Sequence, residues 1–281
     1  MTRLAIIADV HGNLPALDAV MADIQDAAPD QVVVAGDTVN RGPQSKECLQ
    51  RLRDMGWPML FGNHEEYILK FGNETVPDEW LTDWWLPIRR VSEELSAEEK
   101  DYLRTLPWDH VVNVPGLPAI HVLHGSVRAL NDGLGFWKSD AELLAATDVP
   151  ETVVIGAHTH RPFNRRVGKR WVLNCGSVGA PFNGDLSAQY LLLTATNGQW
   201  KADFRAVPYD HSPLYDAWAH SDVLERSMVA QIFMYEVETA TFHLTSYLDF
   251  CEANHLSKNS LDSVARYRAA SANVVPGRSL R

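Results

Sequence analysis

Val34-Ala-Gly-Asp-Thr-Val-Asn-Arg-Gly-Pro43 is the stretch on which the fold turns. An apolar run, Val32 to Ala35, stops at Gly36; Asp37 follows, and the turn beyond carries Asn40, Arg41 and Gly42. A carboxylate at the end of a buried strand is poorly solvated and needs positive charge beside it. Arg41 could supply that charge, and so could a metal ion.

The surrounding sequence repeats the pattern. Leu4 to Ala8 is a continuous apolar run, as expected of a strand buried on both faces, and it ends in Asp9-Val-His-Gly-Asn13. Asn13 and Pro15 suit the start of a helix, and Ala16, Leu17, Val20, Met21 and Ile24 recur at helical spacing. A second helix is expected near Ser45 to Met55, and Trp57 to Phe61 reads as a third strand closed by Gly62-Asn63-His64-Glu65-Glu66. Strand, helix, strand, helix, strand predicts an α/β domain with a parallel sheet and right-handed crossovers. Further apolar runs end at His124-Gly125-Ser126, at Gly156-Ala157-His158-Thr159-His160 and at Asn174-Cys175. Gln189 to Ala195 and Ala202 to Val207 flank Asn197-Gly198, a hairpin signal that predicts a second, mostly antiparallel sheet.

Two segments depart from this rhythm. Residues 67–110 hold Trp80, Trp84, Trp85 and Trp108, with a helix expected over Ser92 to Leu106 and a capping box at Ser96-Ala-Glu-Glu. They form either an aromatic insertion packed on the core or a cap that shapes the substrate entrance. From Pro213 the chain reads as a mainly helical extension, so the expected organisation is a domain over 1–212 and an extension over 213–281, its polar tail after Ser257 fraying.

Five strand ends thus carry metal-type donors: Asp9 with His11, Asp37, Asn63 with His64, His124, and His158 with His160. Ligands of open α/β sheets gather beyond the carboxyl ends of the strands, so five strands sharing one sheet would bring these residues to one edge. Imidazole, carboxylate and one amide, with no thiolate, suit Mn²⁺, with Fe, Ni²⁺ or Zn²⁺ as alternatives. There are enough donors for two ions, and a bridging carboxylate would hold them ~3.5–4 Å apart, the spacing used in phosphoryl chemistry.

Composition sets outer bounds. The 281 residues carry a formal charge of −11, from 25 Lys and Arg against 36 Asp and Glu, which argues against a protein that grips nucleic acid by charge. The three cysteines, Cys48, Cys175 and Cys251, are far apart and give no disulfide framework or thiolate site. No apolar run reaches the ~20 residues of a membrane span, and the first apolar run reads as a strand rather than a signal peptide, so a cytoplasmic protein is expected.

Asp9-Val-His11, Gly36-Asp37, Gly62-Asn63-His64-Glu65, His124-Gly125 and Gly156-Ala157-His158-Thr159-His160 resemble, in order, the five motifs of the calcineurin-like metallophosphoesterases. The resemblance spans residues 4 to about 195, and Asn174 to Pro181 is similar to a segment of that family's small bacterial and archaeal phosphodiesterase-like branch. It implies a four-layer αββα sandwich of two mixed sheets flanked by helices. It also implies roles: Asp9, His11, Asp37 and His160 on one metal, and Asp37, Asn63, His124 and His158 on the other, with Asp37 bridging. A hydroxide shared by the two would attack phosphorus in line, His64 would protonate the leaving oxygen, and Arg41, freed of Asp37, would clamp a phosphoryl oxygen. The implied substrate is a phosphodiester or phosphomonoester of a small, nucleotide-like molecule.

The chain departs from the family pattern in three places. Cys175 stands where the branch usually has proline, and Ala157 where the family usually has glycine. The loop Gly36 to Pro43 looks more like the phosphoprotein phosphatases and dinucleoside tetraphosphatases, which commonly place Asp at position 40. Asn40 is expected to accept a hydrogen bond from His64 without adding charge, which lowers the His64 pKa and favours good leaving groups. Serine/threonine protein phosphatase, dinucleoside polyphosphate hydrolase and a non-catalytic binding scaffold are the competing readings. His121 is expected in the core or behind the ligands rather than as a ligand itself, and Arg128, Asn131 and Asp132 either at the substrate or on a solvated loop. A homo-oligomer is compatible with the extension's apolar faces.

Overall fold

The computed structural model describes residues 2–73 and 75–272. In chain order the elements are β1 (Arg3–Ile7), α1 (Leu14–Ala27), β2 (Gln31–Val34), α2 (Ser45–Met55) and α3 (Asn63–Asn73). Two short 3₁₀ turns lead to α4 (Leu86–Glu94) and α5 (Ala97–Thr105), followed by β3 (Asp109–Val112), β4 (Ile120–Leu123), α6 (Asp140–Ala146) and β5 (Val153–Gly156). Next come β6 (Phe163–Val167), β7 (Arg170–Asn174), β8 (Ala188–Thr196) and β9 (Gln199–Val207). The chain then continues through α7 (Ser212–Ala219), α8 (Val223–Arg226), α9 (Met228–Thr239), α10 (Leu244–Ala253) and α11 (Leu261–Ser271).

The strands form two mixed sheets, ordered β2-β1-β8-β9 and β3-β4-β5-β7-β6. Strand alternation explains why they stack. Leu4, Ile6 and Val33 face one way and pack against Ile120, Val122, Val153, Ile155 and Leu173 of the second sheet. Ala5, Ile7, Val32 and Val34 face the other way, onto Leu17, Val20, Leu49 and Leu52 of α1 and α2. The far face of the second sheet, Leu123, Val154 and Val172, packs on Leu143 and Ala146 of α6. The result is the four-layer αββα sandwich.

Several elements differ from the sequence expectation. The strand ends do not share one sheet: β1 and β2 belong to the first, β4 and β5 to the second, and the donors meet across the layers. The Asn197-Gly198 hairpin forms as expected, but β8 pairs antiparallel to β1 and extends the first sheet instead of founding the second. Trp57 to Phe61 reduces to one parallel bridge, Val34 with Met59. Pro58 has no N–H to give a ladder, and the Phe61 N–H is taken by the Pro107 carbonyl at 2.8 Å. The helix expected over Ser92 to Leu106 breaks at Leu95, because Ser96 starts a new one with a complete capping box. The sequence reading also missed β3, which pairs antiparallel with β4.

The segments after β9 are helical as expected, but the tail does not fray at Ser257. Helix α11 buries Val264 and Tyr267 against Ile232 and Tyr247. The last part of the expected frayed tail, 273–281, lies outside the described residues. Among the described residues, no helix is long and apolar enough to cross a membrane.

Candidate metal centre

Each donor is presented by a tight loop at the end of a strand or at the start of a helix. The loops after β1 and β2 run side by side, with the Asp9, His11 and Gly12 N–H groups donating to the carbonyls of Gly36, Asp37 and Thr38 at 3.1 Å. Of the eleven described non-glycine residues with positive φ, seven lie here: Asp9, His11, Asp37, Asn40, Arg41, His158 and His160. Left-handed backbone costs a side-chain-bearing residue of order 1 kcal/mol or more, and it concentrates where the surrounding fold fixes a functional geometry.

Asn63 and His64 come from the first turn of α3, not from a strand. Glu65 holds that turn in register. Its buried carboxylate accepts the N–H groups of Asp37 (2.9 Å), Thr38 (2.8 Å) and Gly62 (2.9 Å). The sequence pattern gives Glu65 no task beyond that of an acid in the first turn of a helix. Burial, reinforced by Asp37, pushes its pKa up to about 7.

The donors expected from sequence converge. His11 Nε2 lies 3.1 Å from His160 Nε2, and Asp9 Oδ1 is 3.6 Å from the latter. His124 Nε2 lies 3.3 Å from Asp37 Oδ2 and 3.1 Å from Asn63 Oδ1. Asp37 Oδ2 is also 3.7 Å from His11 Nε2, so one oxygen faces both groups. Asp9, His11 and His160 form one set of donor atoms within 4.8 Å, and Asp37, His124 and His158 form another; His64 joins a third with His11 and Asp37.

The hydrogen bonding shows what these groups are arranged to hold. Asp9 Oδ2 accepts the His158 N–H at 3.1 Å, and Asp37 Oδ1 accepts the His64 N–H at 2.8 Å. The other oxygen of each, Asp9 Oδ1 and Asp37 Oδ2, is buried with no hydrogen-bond partner. Buried carboxylate oxygens are otherwise nearly always bonded. His124 and His160 donate from Nδ1 to the carbonyls of Ala35 (2.8 Å) and Ala180 (2.6 Å), which turns each Nε2 toward the carboxylates. Burial opposes a charge on Asp37, yet His124 and His64 hold its pKa well below the usual range. Burial likewise opposes a proton on His124, but Asp37 outweighs it and pushes that pKa up to about 10. The cluster is built around positive charge next to Asp37.

Two neighbours are placed differently from expectation, and a third, His121, is buried as expected. Asn40 turns its amide nitrogen, not its oxygen, to His64 Nδ1 at 2.6 Å, so it donates. Arg41 is not free: it is ion-paired with Glu236 of α9. His121 lies outside the site, on the outer face of β4, bonded to Glu151 at 2.9 Å.

A cavity of about 390 Å³ opens over the cluster. Asp37, Arg41, His64, His158 and His160 form its floor, and Asn131, Asp132, Trp137, Lys138, Arg161, Phe182 and Phe242 form its walls. The expectation that residues 67–110 line the entrance does not hold among the described residues. Three of their aromatics pack together beside His64: Trp80 stacks on Trp85 at 4.1 Å, both meet Tyr67 edge-on, and Tyr67 backs His64 at 5.6 Å. The wall comes instead from the loop before α6, from Arg161 and Phe182, and from Phe242 of the extension. Asn131 and Asp132 were placed near substrate or solvent from sequence; the exposed Trp137 and its neighbour Lys138 were overlooked, though an aromatic beside a cation in a glycine-rich loop was the available clue.

Residues 2–198 match the family model of the calcineurin-like phosphoesterase superfamily domain. The chain belongs to that superfamily. An uncharacterized protein of Methanocaldococcus jannaschii is 25% identical over 230 residues, covering 76% of this chain and 91% of the relative. A symmetrical bis(5'-nucleosyl)-tetraphosphatase of Coxiella burnetii is 38% identical over 76 residues, a match that spans 26% of each chain. The fold is that of a metallophosphoesterase from Sphaerobacter thermophilus, with a TM-score of 0.69 and 23% identity over 85% of this chain and 99% of that one. Calcineurin-like phosphoesterases generally bind divalent metals, and the half-bonded carboxylates and oriented imidazoles described above suit such ions.

Proposed function

We propose that the protein is a two-metal phosphoesterase whose substrate is a small, nucleotide-like molecule carrying a good leaving group. The observation that carries this reading is the pair of buried carboxylates, Asp9 and Asp37, each with one oxygen bonded to backbone and the other left to imidazole-lined space. Asp9, His11, Asp37 and His160 would hold one ion and Asp37, Asn63, His124 and His158 the other, with Mn²⁺ the first choice. Two divalent cations supply Lewis-acid charge and lower the pKa of bound water. Within this reading, residues 1–212 are the catalytic body and 213–281 the extension.

The protein's own groups do the rest. His64 faces the cavity, and Asn40 donates to its Nδ1, so the ring proton sits on Nε2. Burial pushes the His64 pKa down to about 4, which keeps the ring neutral near pH 7. A neutral imidazole donates a hydrogen bond to a leaving oxygen but is a poor donor of the whole proton. That favours leaving groups able to depart as anions. Arg161 and Lys138, the latter paired with Asp132 at 2.6 Å, line the same cavity, where further phosphates of a nucleotide would lie. The same weakness of His64 as an acid favours a second reading, hydrolysis of the phosphoanhydride bonds of a dinucleoside polyphosphate, the substrate class named for the Coxiella burnetii relative.

The test is a panel of aryl phosphomonoesters, aryl phosphodiesters, nucleotides, dinucleoside polyphosphates and phosphopeptides, run with several divalent metals beside two variants. Asp37→Asn is expected to lose both bound metal and rate, and His64→Ala to keep metal and lose rate. Metal-loaded protein that hydrolyses nothing on the panel refutes the enzyme reading, and a preference for phosphopeptides moves it to the protein phosphatases.

A further inference from the structure

A stacked column runs from the C-terminal extension into the metal centre. The Arg41 guanidinium carbon lies 4.2 Å from the ring centroid of Phe233 on α9 and 5.3 Å from that of Phe182. Phe182 lies parallel to His160 at 4.3 Å, and His160 stacks on His11 at 4.8 Å. Arg41 is therefore sandwiched between an aromatic ring of the extension and one that backs a metal-type donor.

Glu236 sits one helical turn after Phe233 on the same face of α9 and is fully buried. One of its oxygens pairs with Arg41. The other accepts the backbone N–H groups of His243 (2.8 Å) and Leu244 (3.0 Å) at the start of α10. A carboxylate fixed at both oxygens in a dry environment has no freedom to follow a moving partner, so the arginine conforms to it. The pair engages only part of the guanidinium's five-donor fork, and Arg41 still lines the large cavity with Asp37, His64 and His158. An arginine with its rotamer already fixed loses less freedom when it binds an anion.

We propose that Glu236 is a positioning residue, which with Phe233 locks Arg41 in the orientation that meets a substrate phosphoryl group, making the C-terminal extension a component of the active centre. The part played by phosphate rests on the phosphoesterase reading. The sequence carried a hint: Glu236 is a lone acid within the apolar stretch Met228 to Val237, where a carboxylate needs a partner.

The test is a double-mutant cycle on the full-length, metal-loaded protein, read by calorimetric binding of inorganic phosphate and by kcat/KM on an aryl phosphodiester. The variants are Glu236→Gln, Glu236→Ala, Arg41→Ala and the Glu236→Ala/Arg41→Ala double. Glutamine keeps an acceptor for the start of α10 and removes the charge, which separates positioning from folding. Both single Glu236 variants are expected to weaken phosphate binding and kcat/KM about tenfold, with glutamine the milder. In the Arg41→Ala background the Glu236 substitution is expected to cost nothing more, because the effect passes through the arginine. An equal loss in that background overturns the proposal in favour of a purely structural role. Tighter phosphate binding by Glu236→Gln overturns it in the opposite sense, since Glu236 would then compete with substrate. A wild-type protein that binds phosphate through Arg41 but hydrolyses no ester refutes the phosphoesterase reading while leaving the binding cycle to decide on Glu236; one that binds no phosphate overturns both.

Discussion

Asn40 donates its amide N–H to Nδ1 of His64 across 2.6 Å, while its own buried oxygen has no partner. Burial, with the charges of Arg41, His124 and His158, outweighs Asp37 and lowers the His64 pKa to about 4, and a donor at Nδ1 offers nothing to accept a second ring proton. An aspartate at position 40 reverses the sign, because it accepts from Nδ1–H and adds a negative charge beside the ring. Asn40→Asp is therefore expected to raise the His64 pKa toward neutrality. Hydrolysis of an alkyl ester, a poor leaving group, should rise about tenfold or more near pH 7, with little change on a nitrophenyl ester. Paired pH–rate profiles check this; superimposable profiles on the alkyl ester would falsify the assignment.

Gly62 is required by closeness rather than by torsion. A methyl group there would overlap the Asp37 carboxylate and press on the Asp37 backbone nitrogen at 2.5 Å and on Glu65 Oε2 at 2.7 Å. Those are the atoms that hold Asp37 in place. Gly62→Ala is expected to destabilise the fold by about 1–3 kcal/mol. Bound metal should fall with it, because Asp37 faces both donor sets. Thermal melting and metal analysis of the purified variant check both; full metal occupancy with unchanged melting would show that the loop yields without moving Asp37.

The donor set was legible in the sequence because the chemistry repeats: acids and histidines at the ends of apolar runs, in order, from Asp9 to His160. The assignment of strands to sheets was not legible, because a run such as Leu4 to Ala8 is apolar on both faces and does not say which neighbour it meets. Nor was the partner of Arg41. It lies 195 residues away on α9, and only tertiary packing joins the two. Trp137 was missed for a related reason: one exposed aromatic in a loop is unremarkable until a cavity opens beside it.

His243 links acid pH to the extension. Its ring stacks on Tyr235 at 4.3 Å and bonds Thr239 Oγ1 and Tyr267 Oη, both at 2.8 Å. Burial, followed by the charge of Arg268, pushes its pKa down to about 4. The folded-state pKa thus lies below the unfolded value near 6.5, and the unfolded chain binds the proton more readily. This contribution to stability is complete above about pH 6.5 and is lost as pH falls toward 4. Replacing the ring by a neutral amide, His243→Gln, is expected to lower stability at pH 7.5 and to flatten its decline below pH 6.5. Urea midpoints measured across that window check the sign; parallel curves for the two proteins would exclude His243 as a source of the slope.

If the substrate is nucleotide-like, as proposed, Trp137 is the residue placed to meet its base. It is 54% exposed, lines the cavity above the donor cluster, and is held by its loop rather than by a core. Arg165 fixes that loop from outside, donating to the carbonyls of Lys138 at 2.7 Å and Phe136 at 3.0 Å. An indole presented this way would offer a flat face to a nucleobase; Lys138 beside it is paired with Asp132 at 2.6 Å. Stacking of a base on an aromatic ring contributes roughly 1–3 kcal/mol. Trp137→Ala is therefore expected to raise KM for a nucleotide substrate about tenfold at nearly constant kcat, as for a group that binds substrate and transition state alike. The same variant should leave KM for a small alkyl or methyl phosphoester unchanged. Measuring both substrates on one enzyme preparation separates stacking from general damage to the cavity: a KM that rises equally for the two removes the base-stacking role, and a fall in kcat on both places Trp137 in loop support instead.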